Sequence, residues 1–107
     1  MRLRKETEQL EDTDLLFIAT VADALAHPVR LKLFQHIMRA NRKGEKICNK
    51  DLVATFDYAQ ATISQHMNKL VQSGLIEIKK ETRFSYYYVH LGLLIKYVDL
   101  TKKFSVL

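Results

Sequence analysis

The stretch from Lys50 to Val89 limits the fold of this chain more than any other. It reads as a short apolar helix, a sharp turn, a second helix opening Gln60-Ala61-Thr62-Ile63-Ser64-Gln65-His66, and two β-rich runs. Ile63, Met67 and Leu70 recur at steps of four and three, so they share one face and seat the second helix on a core. The other face carries Gln60, Thr62, Ser64, Gln65, Asn68 and Lys69. Hydroxyl, amide and ammonium groups of this kind read base edges and phosphates in a major groove. Polar residues alone would suit any solvated helix. The discriminating feature is that no carboxylate occurs from Gln60 to Ser73, which keeps the helix compatible with a polyanion.

The flanks agree. Upstream, Leu52, Val53 and Phe56 give a short helix an apolar side, Asn49 is placed to cap it, and Asp57-Tyr58-Ala59 breaks the period before Gln60. Two helices this close form a helix-turn-helix. Downstream, Ser73-Gly74 supplies a glycine stop. Leu75 to Lys80 and Phe84 to Val89 are rich in branched and aromatic residues and predict two strands around Glu81-Thr82-Arg83. Lys79, Lys80 and Arg83 then sit on the shoulders and tip of a hairpin, placed for phosphate or minor-groove contact.

Around this stretch the chain predicts helices. Residues 1–12 are charged, of mixed sign and without a useful apolar stripe, and are expected to be flexible or weakly helical. From Thr13 to Ala26 a helix capped by Asp12 or Thr13 is apolar on nearly every side. His27-Pro28 makes a joint, and a second helix follows with Val29, Leu33 and Ile37 in one row and Phe34 and Met38 in the next. Asn41-Arg42-Lys43-Gly44 ends it, and Glu45 to Cys48 leads on as a short extended piece. Gly92 separates the last strand from a final helix over Leu93 to Phe104, again apolar around most of its girth.

A chain of 107 residues with 48% apolar composition supports one modest core. The terminal helices therefore have more apolar surface than one copy can bury. They are expected to meet a second copy across a twofold axis through Leu15, Leu16, Phe17, Val21, Leu94, Ile95, Tyr97 and Val98. The fold class that results is mainly α with a small antiparallel β-hairpin: a winged helix-turn-helix over residues 13–107, dimeric through the terminal helices.

A formal charge of +5 favours an anionic partner. The distribution is more specific: Arg30, Lys32, Arg39, Arg42, Lys43, Lys46 and Lys50 stand against Glu45 alone in the block before the polar helix, and Lys50 completes the set expected on DNA. One cysteine, Cys48, leaves no intrachain disulfide and fits a reducing cytoplasm. No signal peptide or membrane span is visible. No phosphate-binding glycine loop, nucleophile elbow or triad context points to an enzyme.

The ordered set Ala26-His27-Pro28-Val29-Arg30-Leu31, Asp51-Leu52, Gln60-Ala61-Thr62-Ile63-Ser64-Gln65-His66-Met67, Leu70, Ser73-Gly74-Leu75-Ile76 and Arg83-Phe84-Ser85-Tyr86-Tyr87 resembles the ArsR family of bacterial winged-helix repressors. The likeness runs from about Asp14 to the end. It implies a homodimeric regulator of transcription bound to a double-stranded DNA operator, in a family often released by a metal ion or a change in thiol oxidation. Two departures bear on sensing. Where the family's best-known site has two cysteines one residue apart, this chain has Cys48 and then Lys50. Where another site uses Asp and His pairs on the final helix, it has Asp99 with His90 before the helix. Neither set supplies the three or four convergent ligands a metal needs, so no cofactor or metal is expected. Cys48, between Lys46 and Lys50, remains a candidate redox sensor. Two further departures touch the motif: Asp57 stands at a turn position where glycine is common, expected to take the left-handed conformation, and Ala61 replaces a serine. The rival reading is a winged helix used for protein contacts, with the polar helix facing a partner protein.

Overall fold

Ile63, Met67, Leu70, Leu33, Ile37, Leu52, Leu75, Ile76 and Val21 are almost wholly removed from solvent and form one continuous core. The computed structural model describes residues 9–107. Its elements run α1 (Asp12–Leu25), α2 (Pro28–Arg42), α3 (Asn49–Thr55), α4 (Gln60–Gln72), β1 (Ile76–Glu81), β2 (Phe84–Val89) and α5 (Leu91–Lys102), closed by a 3₁₀ turn at Lys103–Val106. Among the described residues no helix is long and apolar enough to cross a membrane. The core collects the rows predicted for α2 and α4, and α3 adds Leu52.

Strands β1 and β2 pair antiparallel in the register Ile76↔Val89 through Glu81↔Phe84, leaving Thr82 and Arg83 as a two-residue tip. Thr82 sits at φ +56°, a conformation costly for a β-branched residue. The predicted extended piece before α3 adds a third edge. Ile47 bridges Tyr87, whose N–H donates to the Ile47 carbonyl at 2.8 Å. The wing is thereby tied to the segment that leads into α3.

Several boundaries differ from the sequence expectation, each for a local chemical reason. α1 begins one residue before the expected domain edge, because Glu11 is the cap: its N–H donates to Asp14 Oδ2 at 3.2 Å in a reciprocal capping box. The part of the expected N-terminal segment over residues 1–8 lies outside the described residues. Asn49 is the first residue of α3 and not its cap. Cys48 holds the cap, with its N–H donating to Asp51 Oδ2 at 2.9 Å. Asp57 needs no left-handed backbone, since Phe56 (φ −106°) and Ala59 (φ −62°) are extended and absorb the change of direction. Gly92 lies within α5, which starts earlier because His90 caps it, Nδ1 accepting from the Leu93 N–H at 3.0 Å. His27 does the same for α2, accepting from the Val29 N–H at 3.1 Å.

Gly74 does end α4 with φ +88°, and a Cβ there would lie 2.8 Å from Leu93 Cδ1. Of the residues expected between subunits, Val21 is corrected: it is fully buried in this chain's own core. Phe17, Leu94 and Tyr97 are half-buried against that core. Leu15, Leu16, Ile95 and Val98 stay exposed.

Candidate nucleic-acid interface

Three buried residues of α4 fix its rotation, and everything else on the helix follows. With Ile63, Met67 and Leu70 turned inward, the 3.6-residue period sends Gln65 and Asn68 to the opposite side. Gln60, Gln65, Asn68 and Lys69 are exposed, whereas Thr62 and Ser64 are half-buried on the flanks. Two sequence candidates are engaged with the protein itself. The Ser64 hydroxyl accepts from Asn49 Nδ2 at 3.4 Å, and Asn49 Oδ1 accepts from the Tyr87 hydroxyl at 3.4 Å, so Ser64 ends a polar chain linking the wing, α3 and α4. Lys69 Nζ lies 2.9 Å from Asp23 Oδ2 at the end of α1. That hydrogen bond and charge hold the Asp23 carboxyl below the usual carboxylate range.

Lys50 is brought to the helix-turn-helix as expected. It lines a groove of about 340 Å³ with Asn49, Val53 and Gln60, between the starts of α3 and α4. On the wing, strand alternation divides the cations. Lys80 shares a face with Ile76 and Ile78, whereas Lys79 lies with Glu77 and Glu81 and reaches over the Tyr88 ring at 4.9 Å. Arg83 is exposed at the tip, with no ion pair among the described residues.

Three features escaped the sequence reading because they rest on contacts between elements and not on local periodicity. Glu81 would place negative charge beside the wing tip, but Lys46 pairs with it and Tyr88 donates to it at 3.0 Å. These contacts lower the Glu81 carboxyl and raise the Lys46 ammonium. His66 on α4 packs on His27, ring centroids 4.6 Å apart, with Arg30 Nη1 3.4 Å from its Nδ1. Arg30 also caps α1, donating to the carbonyls of Ala24 at 2.6 Å and Asp23 at 3.1 Å. Burial first, then His27 and Arg30, push the His66 imidazole below its ordinary value. α4 is therefore held at its middle by α1 and α2, and its outer side is left open.

The sensing positions are committed to structure. Cys48 is a half-buried free thiol at the α3 cap, and Lys46, expected beside it, is drawn to Glu81 instead. Asp99 faces Lys102 at 3.8 Å, and the His90 Nδ1 lone pair is used in its cap. Among the described residues no three His, Cys, Asp or Glu side chains converge as a metal site.

A family model described as a helix-turn-helix domain matches residues 25–79. No curated protein matches the chain. Similar solved structures include an ArsR-like transcriptional regulator from Rhodococcus sp. RHA1, at 21% identity and TM-score 0.78, covering 88% of this chain and 84% of that one. A possible transcriptional regulator for arsenical resistance aligns at 27% identity and TM-score 0.63, covering 79% and 82%. The transcriptional repressor BigR from Xylella fastidiosa aligns at 19% identity and TM-score 0.63, covering 89% and 90%.

Proposed function

We propose that this chain, which belongs to the helix-turn-helix domain family and has the winged fold of ArsR-like regulators, binds DNA as a regulator of transcription and acts as a homodimeric repressor on a two-half-site operator, without the usual metal-sensing sites of its relatives. The observation that carries this reading is the outer side of α4: exposed amides at Gln65 and Asn68, joined by Gln60 exposed in the first turn, on a helix with no carboxylate. Gln65 and Asn68 have the donors and acceptors to pair with base edges, with Gln60 and Thr62 at the phosphate margin. Lys50, Lys80 and Arg83 add exposed positive charge on α3 and the wing, suited to phosphates on either side. Ser64 and Lys69 take the lesser part, since Asn49 and Asp23 already hold them. Lys79 contributes charge from beside Tyr88.

Dimerisation is supported by where the exposed hydrocarbon lies. Leu15 and Leu16 on α1, Ile95 and Val98 on α5, and Phe104 after it are each at least two-fifths exposed, a concentration that a monomer in water would not favour. Pairing them about a twofold axis presents α4 twice, the arrangement that reads half-sites about one helical turn apart. BigR from Xylella fastidiosa is a transcriptional repressor, and the proposal extends that role to this chain. The proposal that no metal trigger operates is supported by Cys48 being the sole thiol and by Asp99 pairing with Lys102 and the His90 Nδ1 accepting within its own helix cap.

Selecting duplexes from a random pool and measuring affinity across salt concentrations tests the reading. Log affinity should fall linearly with log salt, and Arg83→Ala, which removes one phosphate contact from each subunit of the dimer, should reduce that slope by about 2. Salt-independent binding, or failure to enrich any duplex, would instead favour a protein partner for α4.

A further inference from the structure

A cavity of about 300 Å³ opens where the end of α2, the end of β2 and the first residue of α5 meet. Met38, Val89 and Leu91 give it apolar walls, the Tyr88 ring adds an aromatic one, and Asn41 and Arg42 are its polar members. The amide of Asn41 is already used. Its Oδ1 accepts from the Val89 N–H at 2.8 Å, and its Nδ2 donates to the Tyr87 carbonyl at 3.3 Å. The Tyr88 hydroxyl is likewise given to Glu81. The Arg42 guanidinium makes no hydrogen bond or ion pair among the described residues. The cavity thus combines hydrocarbon walls with one uncommitted cation whose planar fork matches a carboxylate.

We propose that this cavity binds a small organic carboxylic acid, its aromatic or branched aliphatic body between Met38, Tyr88 and Leu91 and its carboxylate paired with Arg42. At interior packing density the volume suits a ligand of roughly ten to fifteen non-hydrogen atoms. A bare inorganic anion would leave the apolar walls wet, and a neutral hydrocarbon would leave the guanidinium unpaired. The place matters because Asn41 fastens α2 to β2 and Leu91 begins α5. A ligand seated here bears on the root of the wing and on a terminal helix together. It alters DNA affinity to the extent that it prefers one arrangement of those elements. That consequence rests on the operator-binding reading, whereas the binding step does not.

Titration of ¹⁵N-labelled full-length protein, without DNA, with phenylacetate, 2-propylpentanoate and neutral 2-phenylethanol tests the site. At least one acid should give saturable amide shifts centred on Met38, Val89 and Leu91. Arg42→Gln should weaken that acid about tenfold or more and leave any 2-phenylethanol binding unchanged. Leu91→Trp, which narrows the mouth from an exposed position, should weaken acid and alcohol alike. The proposal is overturned if neither acid gives saturable shifts, if the shifts centre elsewhere, or if Arg42→Gln binds the acid as tightly as the parent. Since no DNA is present, these outcomes bear on the cavity alone, and failure to enrich an operator bears on the regulator reading alone.

Discussion

Single residues on α4 divide into those the helical period could place and those it could not. Gln65 faces out because Ile63, Met67 and Leu70 face in, and that arithmetic needs only the local sequence. Lys69 and Ser64 look equally free in the sequence, yet Asp23, 46 positions earlier, takes one, and Asn49, 15 positions earlier, takes the other. His66 shows the same dependence on distant partners and carries a pH prediction. Its imidazole is held below the ordinary 6.5 by burial, His27 and Arg30, so the unfolded chain binds the proton at a higher pH than the native one does. Stability is therefore full above about pH 6.5, declines as pH falls from there toward the folded value, and levels off below it. Asp23 and Glu81, lowered by Lys69 and Lys46, add their own loss only below their ordinary values of 3.8 and 4.5. Chemical denaturation from pH 7 to 5 should give a shallower pH slope for His66→Gln than for the parent. Equal slopes would mean that the cluster around His66 does not perturb its titration.

At the scale of elements, helix existence was legible from apolar spacing, and proline and glycine marked some of the ends, although Gly92 lies inside α5. Pro28 opens α2 and Gly74 follows α4, both as the sequence predicts. The starts of α3 and α5 were misplaced because the caps are Cys48 and His90, residues outside the usual Ser, Thr, Asp and Asn set. Two demands converge on Gly74, a left-handed backbone and a narrow gap beside Leu93. Gly74→Ala should therefore cost about 1–2 kcal/mol from the backbone alone, measured as a lower denaturation midpoint with an unchanged slope. No loss of stability would show that the junction between α4 and β1 can relax into another turn.

For the whole molecule, composition and the two apolar terminal helices pointed to a second copy, but they could not divide residues facing a partner from those facing the chain's own core. Val21 illustrates the difference: it shares α1 with the exposed Leu16 and is itself fully buried. Leu16 and Ile95 are more than half exposed, so charge there leaves the monomer fold intact while opposing any apolar pairing. The double variant Leu16→Glu/Ile95→Glu should sediment as a monomer with parent-like helicity. A dimer that persists would place the twofold contact on another surface. The proposed function needs a symmetric pair of chains that presents the outer side of α4 to two half-sites. Its most direct test is the affinity of Gln65→Ala for a selected operator, for that operator with one half-site scrambled, and for random duplex. Loss of about 1–3 kcal/mol of discrimination per intact half-site, and hence twice as much on the full operator as on the half, is the predicted result. An equal change on all three duplexes, or none on any, would contradict it.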